Sequence, residues 1–268
     1  AQVPGIDPAL IGDVIVGCAM PEAEQGMNVA RIGLLLAGLP ITVPGITINR
    51  FCSSGVQAVA DAANQIRLGL ADVMIAAGTE SMSVMPQIMG NKTSMNPAIF
   101  AKEENLGIAF GMGLTAEKAA NQWKVGREAQ DAFALQSHQR ALKAIAAGEF
   151  ADEMTPVEVI DRLPNLATGE VTLKTRTVNI DEGPRADTSL EGLAKLRPVF
   201  AARLDPAGKP TGFGSVTAGN SSQTSDGAGC LILASERAVK QFDLKPLARF
   251  VSFASRGVDP KIMGIGPI

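Results

Sequence analysis

The chain has 268 residues, 46% of them apolar, and its 24 Lys and Arg stand against 27 Asp and Glu for a formal net charge of -3. That much apolar material fills one large domain or two smaller ones, while the interspersed charges leave no basic face to collect the phosphates of a nucleic acid. Its longest apolar stretches, such as Val73 to Ala77, fall far short of the roughly 20 residues that a membrane-spanning helix needs. The opening AQVPGIDPALIGDVIVG has neither the basic start and apolar run of a signal peptide nor an Arg-rich transit segment, and it lacks an initiator Met. It reads as the end of a helix and a turn before a strand, as in a chain that begins inside a larger protein. Val14 to Gly17 is a strand candidate, and Asn28 to Ala37 has the apolar spacing of a buried helix ended by Gly38 and Pro40. Ile41 to Asn49 is rich in β-branched residues and predicts a strand, broken by Pro44 and Gly45 at an edge, bulge or interface. Ser53 to Leu68 follows as a helix with Val56, Val59, Ala60, Ala63 and Ile66 on one face, stopped by Gly69. Asp72 to Ala77 is then a near-continuous apolar run, the pattern of a parallel strand covered on both faces, so strand, helix and strand imply a right-handed crossover.

From about Pro86 to Gly212 the texture changes to Met-rich and Asn-rich turns, helices at Thr115 to Gln122 and Arg127 to Ala147, and then many short polar segments, as in an insertion. The earlier style returns with the loop TAGNSSQTSDGAG, the apolar strand Cys230 to Ala234 and a further apolar strand from Leu247 to Ser255. The expected division is 1–85 with 213–246 as one domain, 86–212 as an inserted loop domain, and 247–268 as the start of another.

Three cysteines, Cys18, Cys52 and Cys230, are widely spaced and form no CxxC pair, which argues against a disulfide framework and a zinc site and for a reducing compartment such as the cytoplasm. In NRFCSSG, Cys52 lies between a predicted strand end and the first turn of a predicted helix. Free backbone N–H groups and the positive end of the helix dipole favour a thiolate there, and Ser53, Ser54 and Gly55 are small enough to admit a bulky thioester. The bland alternative is a small residue capping a helix. Cys18 and Cys230 read as core residues of strands. His138, the one histidine, shares an amphipathic helix with Phe133, Leu135, Leu142 and Ile145 and reads as a surface residue without catalytic work.

VPGITINRFCSSG, with QAVADAANQIRLGLADVMIAAGTESMS after it, closely resembles the nucleophile segment of thiolases. The likeness continues in order through GMGLTAEKAA, AQDAFALQSHQRA, DEGPR, LAKLRPVF, TAGNSSQTSDGA and the terminal MGIGP. It implies an α/β fold: the amino-terminal half of a thiolase, a mixed sheet covered by helices with an inserted loop domain, its first strand and helix missing although that strand is central to the sheet. Unpaired strand edges and bare apolar faces follow. It implies that Cys52 is the acyl-accepting nucleophile, its backbone N–H contributing to the oxyanion site, and that Met112, Arg185, Phe200, Ala218 and Ser222 contact CoA. Arg185 suits a base or phosphate chemically, and its alternative is a solvated arginine near Asp181 and Glu182. Phe200 and Met112 have the alternative of simple core packing.

The implied activity is that of an acetyl-CoA C-acyltransferase of fatty-acid β-oxidation, with CoA as co-substrate, no metal or permanently bound cofactor, and an intact parent that forms a homo-oligomer through the strand before the nucleophile. Gly111 stands where short-chain members commonly have a histidine, which tilts the expectation toward longer acyl chains. The family's GHP-type histidine, Asn-Glu-Ala-Phe segment and second cysteine do not occur in these residues. Two other readings stay open: a decarboxylating condensing enzyme, against which GTESMS and TAGNSSQTSDGA argue, and a non-catalytic acyl-CoA-binding or interaction protein, which the absent base favours.

Overall fold

The computed structural model describes residues 3, 5–84, 94–200 and 214–268. In chain order its elements are β1 (Ile11–Gly17), α1 (Val29–Leu36), β2 (Gly45–Ile48), α2 (Ser54–Arg67), β3 (Val73–Ser81), α3 (Met112–Trp123), α4 (Arg127–Ala146), β4 (Val157–Pro164), β5 (Val171–Val178), α5 (Leu190–Ala194), β6 (Asp226–Ala234) and α6 (Glu236–Gln241). They fall into a sheet unit, Ala1–Pro97 with Thr224–Arg256, and a loop unit, Ala98–Gln223 with Gly257–Ile268.

In the sheet unit the strand order is β2-β1-β3-β6, with β1 parallel to both its neighbours and β6 antiparallel to β3. Among the described residues the sheet is continuous: β1 hydrogen-bonds directly to β3, through a register shift between Ile11 and Val14. Side chains alternate across the strands with period two. Val14, Val16 and Val73 point to one face, where Ala30 and Leu34 of α1 and Ala238 of α6 cover them. Ile15, Met74 and Ala76 point to the other, against Ala58 and Ala62 of α2. Each of the Val, Ile, Leu and Met side chains withdrawn from water contributes on the order of 1.5–3 kcal/mol. The apolar runs in β1 and β3 therefore reflect burial on two faces. α2 packs through alanines, and Val56, expected on its buried face, is exposed.

Three sequence expectations need correction here. The extended segment Ile41 to Asn49 forms a strand only over β2, because the Arg31 guanidinium gathers the carbonyls of Ile41 and Val43 and the Val43 N–H donates to the Pro40 carbonyl, closing a turn. Leu247 to Ser255 joins no ladder; its backbone carbonyls at Phe250 and Val251 accept instead from Arg67 of α2 at 3.1 and 2.8 Å. Cys230 is not a core residue, because β6 is an edge strand that no described helix covers at that position, and its thiol is exposed.

In the loop unit, the stretch expected to be short polar segments contains the antiparallel hairpin β4–β5, in register from Val157 opposite Val178 to Pro164 opposite Val171. The 3-10 turn of Pro260–Ile265 packs against α3 and against the 3-10 turn of Glu103–Ala109. Residues 215–220 are held by side chains of α3 and α4 and cluster with the loop unit.

Candidate active site

Parallel strands carry their loops to one end of the sheet, and the chain leaves β2 there to enter α2. The turn between them is tight. Phe51 has φ 47°, a left-handed conformation that is uncommon for a bulky residue and costs on the order of 1–2 kcal/mol. Side chains on either side hold it: the Phe51 N–H donates to Asn49 Oδ1 at 2.8 Å, the Arg50 N–H donates to Ser54 Oγ at 2.7 Å, and that hydroxyl donates to the Phe51 carbonyl at 2.6 Å. Ser54 is buried beneath the turn. Cys52 is exposed above it, one residue before the N-cap Ser53, whose side chain makes no capping bond. Gly17 at the end of β1 permits this arrangement, since a Cβ there would lie 2.4 Å from the Ser54 carbonyl carbon. The result is an accessible thiol at the positive end of a 14-residue helix.

Cys18 follows the end of β1 in a different setting. It is 1% exposed, and its Sγ donates to Glu80 Oε1 at 3.8 Å. The same carboxylate accepts the Ala19 N–H at 2.7 Å and Gln25 Nε2 at 2.6 Å. Burial, and then the charge of Glu80, push the Cys18 thiol from 9.0 up to about 11, so it stays protonated at neutral pH.

The five residues expected to contact CoA all lie in the loop unit. Met112, exposed, opens α3. The Phe200 ring lies over the next residue so closely that a Cβ on Gly113 would meet its Cε2 at 2.2 Å, which brings these two neighbours together. Ala218 and Ser222 are exposed on the returning loop. That loop is gripped from beneath by charges. Glu117 of α3, 8% exposed, accepts the N–H groups of Ser215 and Val216 at 2.6 and 2.8 Å and the Ser215 hydroxyl at 2.8 Å. Asp131 of α4, 4% exposed, accepts Asn220 Nδ2 at 2.9 Å and pairs with Arg127 at 2.6 Å. Asn220 in turn accepts the Thr217 N–H and donates to the Ser215 carbonyl. Gln223 donates to the Gly183 carbonyl, tying the loop to the segment that carries Arg185.

Arg185 is exposed and forks onto Asp187 through Nε at 3.2 Å and Nη2 at 3.0 Å, which holds the Asp187 carboxyl below its ordinary range. Its N–H donates to His138 Nδ1 at 3.1 Å, so the one histidine props this segment. Reading the sequence missed Glu117, Asp131 and Asn220, because charges on amphipathic helices ordinarily face solvent; the Asn and Ser of the loop were the only hint of their buried partners. Among the described residues no group of three or more His, Cys, Asp or Glu is placed to hold a metal ion, and no helix is long and apolar enough to cross a membrane.

Residues 1–237 match the family described as "Thiolase, N-terminal domain". The chain belongs to the thiolase family. It is 48% identical over 259 residues to the 3-ketoacyl-CoA thiolase of Bacillus subtilis, an alignment covering 96% of this chain and 62% of that protein. Among solved structures it resembles the Bacillus anthracis acetyl-CoA acetyltransferase, with 40% identity, a TM-score of 0.78 and coverage of 98% of this chain and 63% of that one. The dimeric peroxisomal thiolase of Saccharomyces cerevisiae is similar too, with 34% identity, a TM-score of 0.78 and coverage of 97% and 60%. The chain thus spans less than two thirds of each relative, as the amino-terminal half of a thiolase does. Its α/β thiolase fold places an exposed cysteine at the mouth of the sheet and a clamped loop on a second unit.

Proposed function

We propose that this thiolase chain supplies the acyl-accepting half of an acetyl-CoA C-acyltransferase that cleaves 3-ketoacyl-CoA with CoA. The observation that carries the reading is the exposed Cys52 thiol on a braced turn at the start of α2. The Cys52 thiolate adds to the 3-keto carbon; the bond between C2 and C3 breaks, its electron pair leaves as the enolate of acetyl-CoA, and that enolate takes up a proton. The acyl group stays on sulfur as a thioester until the thiolate of CoA displaces it, giving a shortened acyl-CoA and freeing Cys52. The loop unit contributes the CoA contacts of Met112, Arg185, Phe200, Ala218 and Ser222. The domain division remains our reading as well: 1–85 with 213–246, the insertion 86–212, and 247–268 as the beginning of a second domain. Widely spaced thiols favour a reducing compartment, here the cytoplasm.

A second copy is part of this reading. Among the described residues β2 is an edge strand, its Ile46 is 47% exposed, and Ile41 just before it is 78% exposed. Pairing of β2 with its counterpart across a two-fold axis would cover them. A stable monomer of the full-length protein in small-angle scattering would contradict it.

The deciding experiment is mass spectrometry after incubation of the chain with an acyl-CoA. A thioester on Cys52, absent in Cys52→Ala, is expected; reversible binding with no adduct would leave the non-catalytic acyl-CoA-binding reading in its place. Turnover by these 268 residues alone is expected to be negligible, since general acid–base assistance contributes about 10²–10⁴-fold and oxyanion donors about 10²–10³-fold, and His138 is engaged with Arg185. Cys52-dependent cleavage at ordinary enzymatic rates would overturn that expectation.

A further inference from the structure

We infer that Asn49 is a positioning residue for Cys52 and that Glu80, through Asn49, sets the aim of the nucleophile. The inference rests on Cys52 being the acyl acceptor. A single line of hydrogen bonds runs from one to the other. The Glu80 carboxylate at the end of β3 accepts the Ala19 N–H at 2.7 Å; the Ala19 carbonyl accepts Asn49 Nδ2 at 2.8 Å; Asn49 Oδ1 accepts the Phe51 N–H at 2.8 Å. Phe51 carries the left-handed φ of 47° that turns the chain, and Cys52 is the next residue. The line has a fixed anchor, because Glu80 also accepts Gln25 Nε2 and Cys18 Sγ, while Gln25 returns an acceptor to the Ser81 N–H at 2.7 Å.

The chemistry selects an amide in the middle. Asn49 must donate with one end, to a carbonyl, and accept with the other, from an N–H, within one short side chain. Aspartate keeps the acceptor and loses the donor; alanine loses both. Ser54 secures the same turn from beneath but has no link to Glu80. Asn49 is therefore the joint between the nucleophile turn and the Glu80 corner, and freeing Phe51 lets the turn relax and swings the Cys52 sulfur off its line.

The test is competitive alkylation of the folded chain by iodoacetamide, resolved by peptide mass spectrometry, with the exposed Cys230 as internal reference. Asn49→Ala should lower the Cys52 to Cys230 rate ratio about tenfold, each lost hydrogen bond being worth a factor of roughly 2–10. Asn49→Asp, which keeps the acceptor for Phe51 but cuts the line to Glu80, should recover only part of that loss and match Glu80→Gln at about threefold below the parent chain. Glu80→Gln should lower the ratio about threefold in the parent chain and leave it unchanged in the Asn49→Ala background, where the line is already cut. In the acyl-transfer assay the maximal acylation rate of Asn49→Ala should fall while the acyl-CoA concentration for half-saturation holds.

A ratio unmoved in Asn49→Ala, or a Glu80→Gln effect of equal size in both backgrounds, overturns the inference. Should Asn49→Ala not fold, Asn49→Asp carries the same test, since it too removes the donor to Ala19 and must abolish the Glu80→Gln effect. Alkylation needs no turnover, so the absence of a Cys52 thioester in the parent chain would instead count against the proposed function.

Discussion

The two units hold their candidate site residues by different means. In the sheet unit the backbone does it: a strand end, a left-handed turn and a helix start fix Cys52, and small residues at Gly17 and Ser54 let the helix come close. In the loop unit the exposed loop of Ala218 and Ser222 has no such scaffold, and two buried carboxylates, Glu117 and Asp131, hold it by its polar groups. A site built on backbone packing is damaged by added bulk. A site built on buried charge is damaged by removing one partner.

The largest effect should come from breaking the charge clamp. Asp131→Ala leaves Arg127 and the Asn220 amide without their shared acceptor, a loss on the order of 1.5–3 kcal/mol for charge-assisted hydrogen bonds. Thermal unfolding followed by circular dichroism is the check, and a melting point within a degree of the parent would refute the clamp. Next is the opposite kind of damage. Gly17→Ala pushes a Cβ into the Ser54 and Gly55 backbone, costing about 1–3 kcal/mol as overpacking and displacing the turn; Cys52 alkylation slowed in step with the loss of stability would show both, whereas a neutral substitution would mean that the sheet end yields freely.

A third experiment uses pH to separate the two corners of the sheet unit. The Cys18 thiol is raised to about 11 in the folded chain against 9.0 ordinarily. The unfolded chain therefore releases that proton first, so stability is fully present below pH 9 and declines as pH rises from there toward about 11. Cys18→Ala should flatten that alkaline decline, and a decline of unchanged slope would assign it to other groups. The smallest effect is expected at the surface of the loop unit. Asp187→Asn loosens a fully solvated pair with Arg185, and such pairs contribute little. Melting should be unchanged; a clear drop would mean that the loop unit depends on exposed charges as well as buried ones.

Much of the sheet unit could be read from the sequence because its physics is periodic. β1 and β3 are covered on both faces and so appear as apolar runs, and the small residues after Cys52 mark the helix start. Cys230 misled for a related reason: CLILA has the composition of a covered strand, yet in β6 Leu231 is 56% and Ile232 43% exposed, and composition does not record whether a cover is present. β4 and β5 escaped notice because neither face is buried, so no alternation was imposed on them. Glu117 and Asp131 were hidden by their own chemistry, since a carboxylate on a helix ordinarily belongs to water and only the partner loop, about a hundred residues later, reveals otherwise.

The β4–β5 hairpin has a practical consequence. Its strands pair only with each other among the described residues, with Arg176 bridged to Asp161 at 2.9 Å and a tip at Asn165 to Gly169 where Leu166 is 96% exposed. A lone two-stranded ribbon gains little from its own hydrogen bonds in water, so it opens without any described helix having to melt. This makes the tip the place where a protease should nick the native chain first, and where a tag or a fluorescent reporter can be inserted while Cys52 and its turn stay as they are.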